Sequence, residues 1–296
     1  MHVTAQGSGL RRGIALLAIA LGLSGCDGTV AVDLTVSGAD VFDVASLPVD
    51  GIEFRNVSGG TAQLRFSNSR KLDLLDARDG QSVALVSDDR LPQNTYDGVR
   101  LILSSSEVAN NARFQRINGE SAPVTLGTTS FAPIDLKVSQ DENYSVLLTL
   151  ELPFSVSLVR AAGDQLFRPA LRAAESDQGA SVSGSVDASL AEASGCSDDD
   201  GGRAVYAFPE QTDVFDDYNT ASGSAFQPVA AAAVKHSGSG YRYELRGLDG
   251  GKYVLALTCQ ANLDNPLTPD ALSFVEPTTV TLKDGEDATL DLPENN

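Results

Sequence analysis

The 296-residue chain reads as an all-β protein, two β-sandwich domains behind a short N-terminal leader. Three observations predict this. Apolar and polar residues alternate at period two along most of the chain, and no long stretch has the period of an amphipathic helix. The short apolar runs are separated by turn chemistry: Ser58-Gly59-Gly60, Asp79-Gly80, Pro92-Gln93-Asn94 and Asn118-Gly119. Short strands at such spacing favour sandwiches over a parallel sheet. The pattern then lapses near Ala173–Ser181 (AAESDQGAS), which divides the chain in two. A hydrophobic content of 42% excludes general disorder.

The leader comes first. Arg11 and Arg12 precede an apolar run that ends in Leu23-Ser24-Gly25-Cys26. A helix of about eleven residues reaches about 16 Å, half of a hydrocarbon core of roughly 30 Å, so the run suits a cleaved signal better than a span. Its end resembles a bacterial lipobox. That resemblance implies cleavage after Gly25, a signal peptide of residues 1–25, and a diacylglycerol on the sulfur of Cys26, with acylation (palmitate) of the new amino terminus an option. Several chains at roughly 0.8 kcal/mol per buried CH₂ make a lasting anchor. The competing reading is a chance apolar leader that happens to end in cysteine. The expected place is the bacterial cell envelope, facing the periplasm or the cell surface. Asp27 after the lipidated residue resembles an inner-membrane retention signal of enteric bacteria, but the rule varies between lineages and inner versus outer membrane stays open.

The first domain, 26–172, begins almost at the anchor. Thr29–Val36 places Val30, Val32, Leu34 and Val36 on one face, and Asn143–Leu152 does the same through Tyr144, Val146, Leu148, Leu150 and Leu152. Further strands are expected at Ile52–Val57, Ala62–Ser67, Leu72–Leu75, Ser82–Val86, Val99–Leu103 and Ile134–Val138. Leu72–Arg78 has a helical turn as its alternative. Residues 173–181 are the expected linker. The second domain, 182–296, follows with Val182 and Val186, then Ala204–Phe208, Val229–Val234, Tyr241–Leu245, Tyr253–Thr258, Leu272–Val275, Thr278–Leu282 and Ala288–Leu292. Gly247–Tyr253 is a glycine-rich hairpin turn. The alanines 230–233 are read as a strand of small residues because Val229 and Val234 flank them.

Within Leu72–Leu103, LDLLDARDGQSVALVSDDRLPQNTYDGVRLIL resembles a signature of bacterial proteins catalogued under domain of unknown function 4382. The first mature strand and Phe167-Arg168-Pro169-Ala170-Leu171 fit the same family, so the resemblance covers roughly residues 28–172. Gln93-Asn94-Thr95 departs from the usual approach to Tyr96, and Ser37–Asp40 is degenerate. The second domain is similar to the carboxypeptidase-regulatory or transthyretin-like sandwich, on Val182–Val186 and on YELRGLDGGKYVLALTC at 243–259. Together they imply immunoglobulin/transthyretin-like architecture and no assigned activity. Function drawn from a fold alone is analogy.

Charge bounds the partners. The formal net charge is −19, and cleavage after Gly25 removes two arginines and no acid. Nucleic acid is excluded as a partner, because its affinity comes from basic residues neutralising phosphates. Residues 27–175 carry 20 acids and 13 bases, residues 176–296 carry 20 and 6. The more acidic second domain is expected to lie farther from the membrane.

With Cys26 lipidated, Cys196 and Cys259 remain as an even pair in an oxidising compartment. They are expected to form a disulfide, two buried free thiols being the alternative. One mature histidine, His236, leaves zinc short of ligands and nucleophilic catalysis short of a base. It is expected in an exposed strand end and loop. No HExxH, Walker or nucleophile-elbow motif is present. A glycosidase cleft lacks its aromatic platforms in a chain with no Trp and 6% aromatics. Calcium is the more reasonable chemistry. Asp198, Asp199 and Asp200 follow Cys196, with Asp213, Asp216 and Asp217 soon after; Asp264 and Asp270 follow Cys259. A disulfide would bring these loops together as hard oxygen donors, without EF-hand spacing. A solvated acidic loop is the alternative.

The reading is therefore a membrane-anchored envelope lipoprotein, not an enzyme, with a structural or binding role toward an envelope protein or glycan. Its rivals are a carbohydrate-active or other envelope hydrolase, and an assembly protein that pairs through an edge strand.

Overall fold

The structure, a computed structural model, describes residues 27–39, 42–78, 81–104, 112–116, 119, 124–127, 129–151, 158–161, 164–193, 195–196, 202–210, 214–218, 226–238, 240–264 and 268–292. The leader with Cys26, and Asp198, Asp199, Asp200 and Asp213, lie outside these residues. The protein is all-β. No helix among the described residues is long and apolar enough to cross a membrane.

Strand β1 (Asp27–Ser37) buries Val30, Val32, Leu34 and Val36, the face its alternation predicts. β2 (Phe42–Asn56) and β3 (Thr61–Asp73) form an antiparallel pair across Ser58-Gly59-Gly60. β4 (Val83–Pro92) and β5 (Asn94–Leu103) turn at Gln93, where the Tyr96 hydroxyl donates to the Pro92 carbonyl at 2.7 Å. β6 (Arg113–Arg116), β7 (Val124–Leu126), β8 (Ala132–Val138), β9 (Asn143–Glu151), β10 (Leu158–Ala161), β11 (Asp164–Phe167) and β12 (Ala170–Glu175) complete this half.

One sheet has the order β12-β9-β1-β4, with β1 parallel to β9 and antiparallel to β4. The other runs β3-β2-β5-β8, with β6 also paired to β2. A single hydrophobic cluster joins Leu34, Leu148 and Leu150 of the first sheet to Ile52, Phe54, Leu101 and Leu136 of the second. Interdigitated inner faces of this kind make a sandwich. A small sheet, β10-β11-β7, lies beside it in the chain.

The second half is built likewise. β13 (Ala180–Val186) leads to a one-turn helix, α1 (Ala188–Ala191), which Asp187 caps by accepting from the Ser189 amide at 2.8 Å. β14 (Ala204–Pro209), β15 (Ala230–Ala233), β16 (Lys235–Ser237), β17 (Gly240–Leu248), β18 (Gly251–Thr258), β19 (Phe274–Leu282) and β20 (Asp287–Thr289) follow. Their sheets have the orders β16-β17-β13-β20 and β15-β14-β18-β19. Val182 and Leu245 meet Val205, Leu255 and Leu257 between them. The alanines of β15 are a buried strand, as their valine flanks predict.

Several expectations are corrected. Residues 173–181 hold no free spacer: Ala173–Glu175 finish β12, residues 176–179 turn, and Ala180 starts β13. Ala173, Ala174 and Ala180 are buried within the strands, while Ser176, Asp177 and Gln178 in the turn are exposed. The Leu72–Leu75 strand stops at Asp73, whose carboxylate accepts from the Leu75 amide at 3.0 Å and caps a 3-10 turn over Leu74–Ala77. Leu272–Val275 and Thr278–Leu282 are not separate strands: Leu272 and Ser273 lie outside any strand, and one strand, β19, runs from Phe274 to Leu282 with an irregular pairing near Glu276-Pro277. His236 lies within β16 rather than at its end, exposed and edge-on to Tyr241 at 5.0 Å.

The halves touch through polar contacts. Ser37 Oγ donates to the Ala231 carbonyl at 3.0 Å, and Arg172 Nη1 donates to the carbonyls of Arg246 and Gly247.

Candidate metal centre

Every residue from Ala204 to Phe208 in β14 is buried, which requires cover on both faces of its sheet. Val205 and Ala207 point into the sandwich core. Ala204, Tyr206 and Phe208 point outward, into a second apolar layer with Val254, Ala256, Phe215 and Phe274. The rings interlock: Phe208 lies 4.9 Å from Phe215 and 5.1 Å from Phe274, and Tyr206 lies 5.4 Å from Phe274. Phe215 belongs to residues 214–218 and Phe274 opens β19, so chain on either side of the sheet supplies the cover.

Tyrosine in such a layer needs a partner for its hydroxyl. Tyr206 donates to Asp264 Oδ2 at 2.6 Å, both groups being buried. Asp264 follows a 3-10 turn (Ala261–Leu263) at the end of β18. That turn is held where it starts. Cys259 is bridged to Cys196 with the Cα atoms 4.7 Å apart, and the Ala261 amide donates to the Gly202 carbonyl at 2.9 Å. The disulfide thus joins the chain after α1 to the chain that presents Asp264.

Asp217 and Asp270 complete the group. Ligand atoms of Asp217, Asp264 and Asp270 all lie within 4.8 Å of one another. Asp264 is 0% exposed and Asp217 1%, while Asp270 is half-buried. Backbone amides cross between the two segments. Asp270 N donates to Asp217 Oδ2 at 2.7 Å, and Tyr218 N donates to Asp264 Oδ2 at 3.4 Å. The other oxygen of each buried acid, Asp217 Oδ1 and Asp264 Oδ1, is buried without a hydrogen-bond partner.

Burial pushes the Asp264 carboxyl up to about 7; the bonds from Tyr206 and Tyr218 oppose this, and the charges of Asp217 and Asp270 add to it. Burial also raises Asp217, against the bond from the Asp270 amide and with the help of Asp216 and Asp270. Desolvation and mutual repulsion both disfavour three bare carboxylates.

Of the residues predicted to bind calcium, Asp264 is in this group, and Asp198, Asp199 and Asp200 lie outside the described residues. Asp217 and Asp270 stood among the acids near the cysteines. Tyr206 was missed, although a hydroxyl inside the apolar run AVYAF was the available signal.

Residues 27–169, which include β1 to β11 of the first half, match the family model described as Domain of unknown function (DUF4382). No curated protein matches the chain. Among solved structures, the Bacillus anthracis TIE protein is similar at 11% identity and TM-score 0.20, over 90% of this chain and 34% of that one. The streptococcal ancillary pilin is similar at 13% identity and TM-score 0.19, over 90% and 63%. BcpA, the major pilin subunit of Bacillus cereus, is similar at 8% identity and TM-score 0.20, over 89% and 98%. The chain thus spans about a third of the first and under two thirds of the second. Scores this low carry nothing about function.

Proposed function

We propose that this is a lipid-anchored cell-envelope protein with a non-catalytic structural or binding role, made of a DUF4382-type unit (26–172) and a transthyretin-like unit (182–296). The observation that supports it most is where the first strand starts. β1 begins at Asp27, one residue after Cys26, and it is an interior strand of its sheet. A diacylglycerol on Cys26 would mount the first sandwich on the bilayer without a flexible stalk, since one residue spans under about 4 Å. The Cys196–Cys259 bridge suits an oxidising compartment outside the cytosol. In the second unit, the turn at Asp249-Gly250 carries the chain from β17 in one sheet to β18 in the other, so the segment expected as a hairpin turn is instead a crossing between the two layers of the sandwich.

Binding through loops at the sandwich ends is favoured over strand addition. Edge strand β3 carries Arg65, Arg70 and Lys71, and edge strand β19 contains Pro277, features that block pairing with a second chain. The Ala231 carbonyl of edge strand β15 accepts from Ser37.

Mass spectrometry of the native product and fractionation of Cys26→Ser test the reading. The native protein is expected in membranes, cut after Gly25 and carrying diacylglycerol on Cys26, and the variant is expected to leave the membrane fraction. An uncut leader with a bare thiol overturns the proposal. Crosslinking in intact envelopes then identifies the protein or glycan partner.

A further inference from the structure

Two buried carboxylate oxygens with no partner, facing a third acid, need a positive charge or protons. We propose that Asp217, Asp264 and Asp270 form a calcium site that clasps residues 214–218, 260–264 and 268–270 over the outer face of the β14–β18 sheet. The site stands independently of the lipid anchor.

The donor set comes first. All three side chains offer oxygen, and neither histidine nor cysteine joins them. Hard oxygen donors select calcium or magnesium over zinc and copper. Calcium binds 6–8 oxygens at about 2.3–2.6 Å, so its shell is about 5 Å across. Carboxylate atoms within 4.8 Å of one another fit that span. Magnesium demands near-octahedral order and holds its waters, a poor match to two buried acids and one half-buried acid in irregular chain. Backbone carbonyls and water would fill the remaining positions.

The orphaned oxygens are the second observation. Asp217 Oδ2 and Asp264 Oδ2 are already engaged by amides and by Tyr206, which fixes both carboxylates. Asp217 Oδ1 and Asp264 Oδ1 are left over, buried and unpartnered. A buried charge that lacks a partner is costly, and hydrogen bonding or coordination removes that cost. The charges acting on Asp264 are those of Asp217 and Asp270, both of the same sign as its own. A divalent cation reverses that repulsion and turns three mutually opposed groups into a cross-link.

The cross-link has a structural consequence. Asp217 sits two residues after Phe215, and Asp270 sits four before Phe274, the two rings that close the outer apolar layer. Tying these acids together holds both rings against Phe208.

Tyr206 supplies a direct readout. Its hydroxyl bonds a proposed ligand, the chain has no tryptophan, and an excited tyrosine sensitises a terbium ion bound beside it. The full chain with its disulfide intact is expected to give tyrosine-sensitised terbium emission that calcium displaces. Millimolar calcium is expected to raise the melting midpoint over that in chelator by about 5 °C, the effect of a ligand well above its dissociation constant. The double variant Asp217→Asn, Asp264→Asn is expected to lose at least about tenfold in affinity, and Asp249→Asn, on a distant turn, to keep it. Asp270→Asn at the rim serves where the double variant does not fold. Emission that calcium does not displace, a midpoint indifferent to calcium, or binding undiminished in the aspartate variants overturns the site.

Discussion

Arg172 Nη1 donates to the Gly247 carbonyl at 2.9 Å, joining β12 of the first sandwich to β17 of the second. The same nitrogen also donates to the Arg246 carbonyl, so one cation satisfies two carbonyls at the end of a strand. Hydrogen bonds to a charged group are worth roughly 1.5–3 kcal/mol each when half-buried. Arg172→Ala is expected to loosen the contact between the halves by about 2 kcal/mol. Hydrogen exchange should speed up in the β17–β18 turn and at residues 176–179 while the strand cores stay protected. Unchanged protection in both places would refute the role assigned to Arg172.

Glu53 is a buried acid that is fully served. Gln63 Nε2 donates to it at 2.7 Å and Arg100 Nε at 2.6 Å, and the Arg100 guanidinium lies 4.3 Å from the centre of the Phe131 ring. Burial alone would raise its pKa, but the bonds from Gln63 and Arg100 together with the Arg100 charge outweigh burial and hold it below 4.5. A lowered folded-state pKa gives stability that is present above the unfolded value and is lost as pH falls through the folded one. Glu53→Gln is therefore expected to cost about 1–2 kcal/mol at pH 7, with a smaller difference from the parent below pH 4. Urea unfolding at both pH values measures it.

The legible part of the fold is the part in which one face of a strand is dry. β1 and β9 alternate: Val30, Val32, Leu34 and Val36 of β1 and Val146, Leu148 and Leu150 of β9 are buried as expected, Tyr144 is half-buried, and Leu152 lies outside the described residues. β2 runs ten residues further toward the N-terminus than the strand expected at Ile52. There its burial is nearly continuous, because Leu47, Pro48 and Val49 break the period-two signal. β6, β7, β10 and β11 are three or four residues long, too short for any period to register. The acidic group was legible only in kind. Composition around the cysteines pointed to oxygen-donor chemistry, but which acids meet depends on the disulfide and on cover over the outer face. Asp217 and the Asp270 amide are 53 residues apart, and no local pattern encodes their contact.

Gly184 sits in β13 where the chain beyond β20 passes over it. A Cβ at this position would fall inside the van der Waals radius of the Leu290 carbonyl oxygen, which is backbone and cannot swing away. The Leu290 amide also donates to the Ser183 carbonyl at 2.9 Å, which pins the approach. Gly184→Ala is expected to destabilise the second sandwich by about 2–3 kcal/mol, through displaced backbone rather than lost burial. Thermal unfolding checks the magnitude. Gly59→Ala, at a turn with nothing near its Cβ, should lose less, although its φ of +86° adds strain of its own.

Removing the cystine separates two contributions to the same loops. The bridge closes a segment with a sequence separation of 63, for which chain entropy gives roughly 4 kcal/mol. It also fixes the start of the turn that ends at Asp264, so its loss should be felt at the acidic group and not only in overall stability. Cys196→Ala with Cys259→Ala is expected to lower stability by about 2–4 kcal/mol. The tyrosine emission near Asp264 should change well below the unfolding transition, because Tyr206 reports the turn directly through its 2.6 Å bond. A protein destabilised by this amount whose Tyr206 signal stays constant up to the transition would show that β18 and the outer aromatic layer hold Asp264 without help from the bridge.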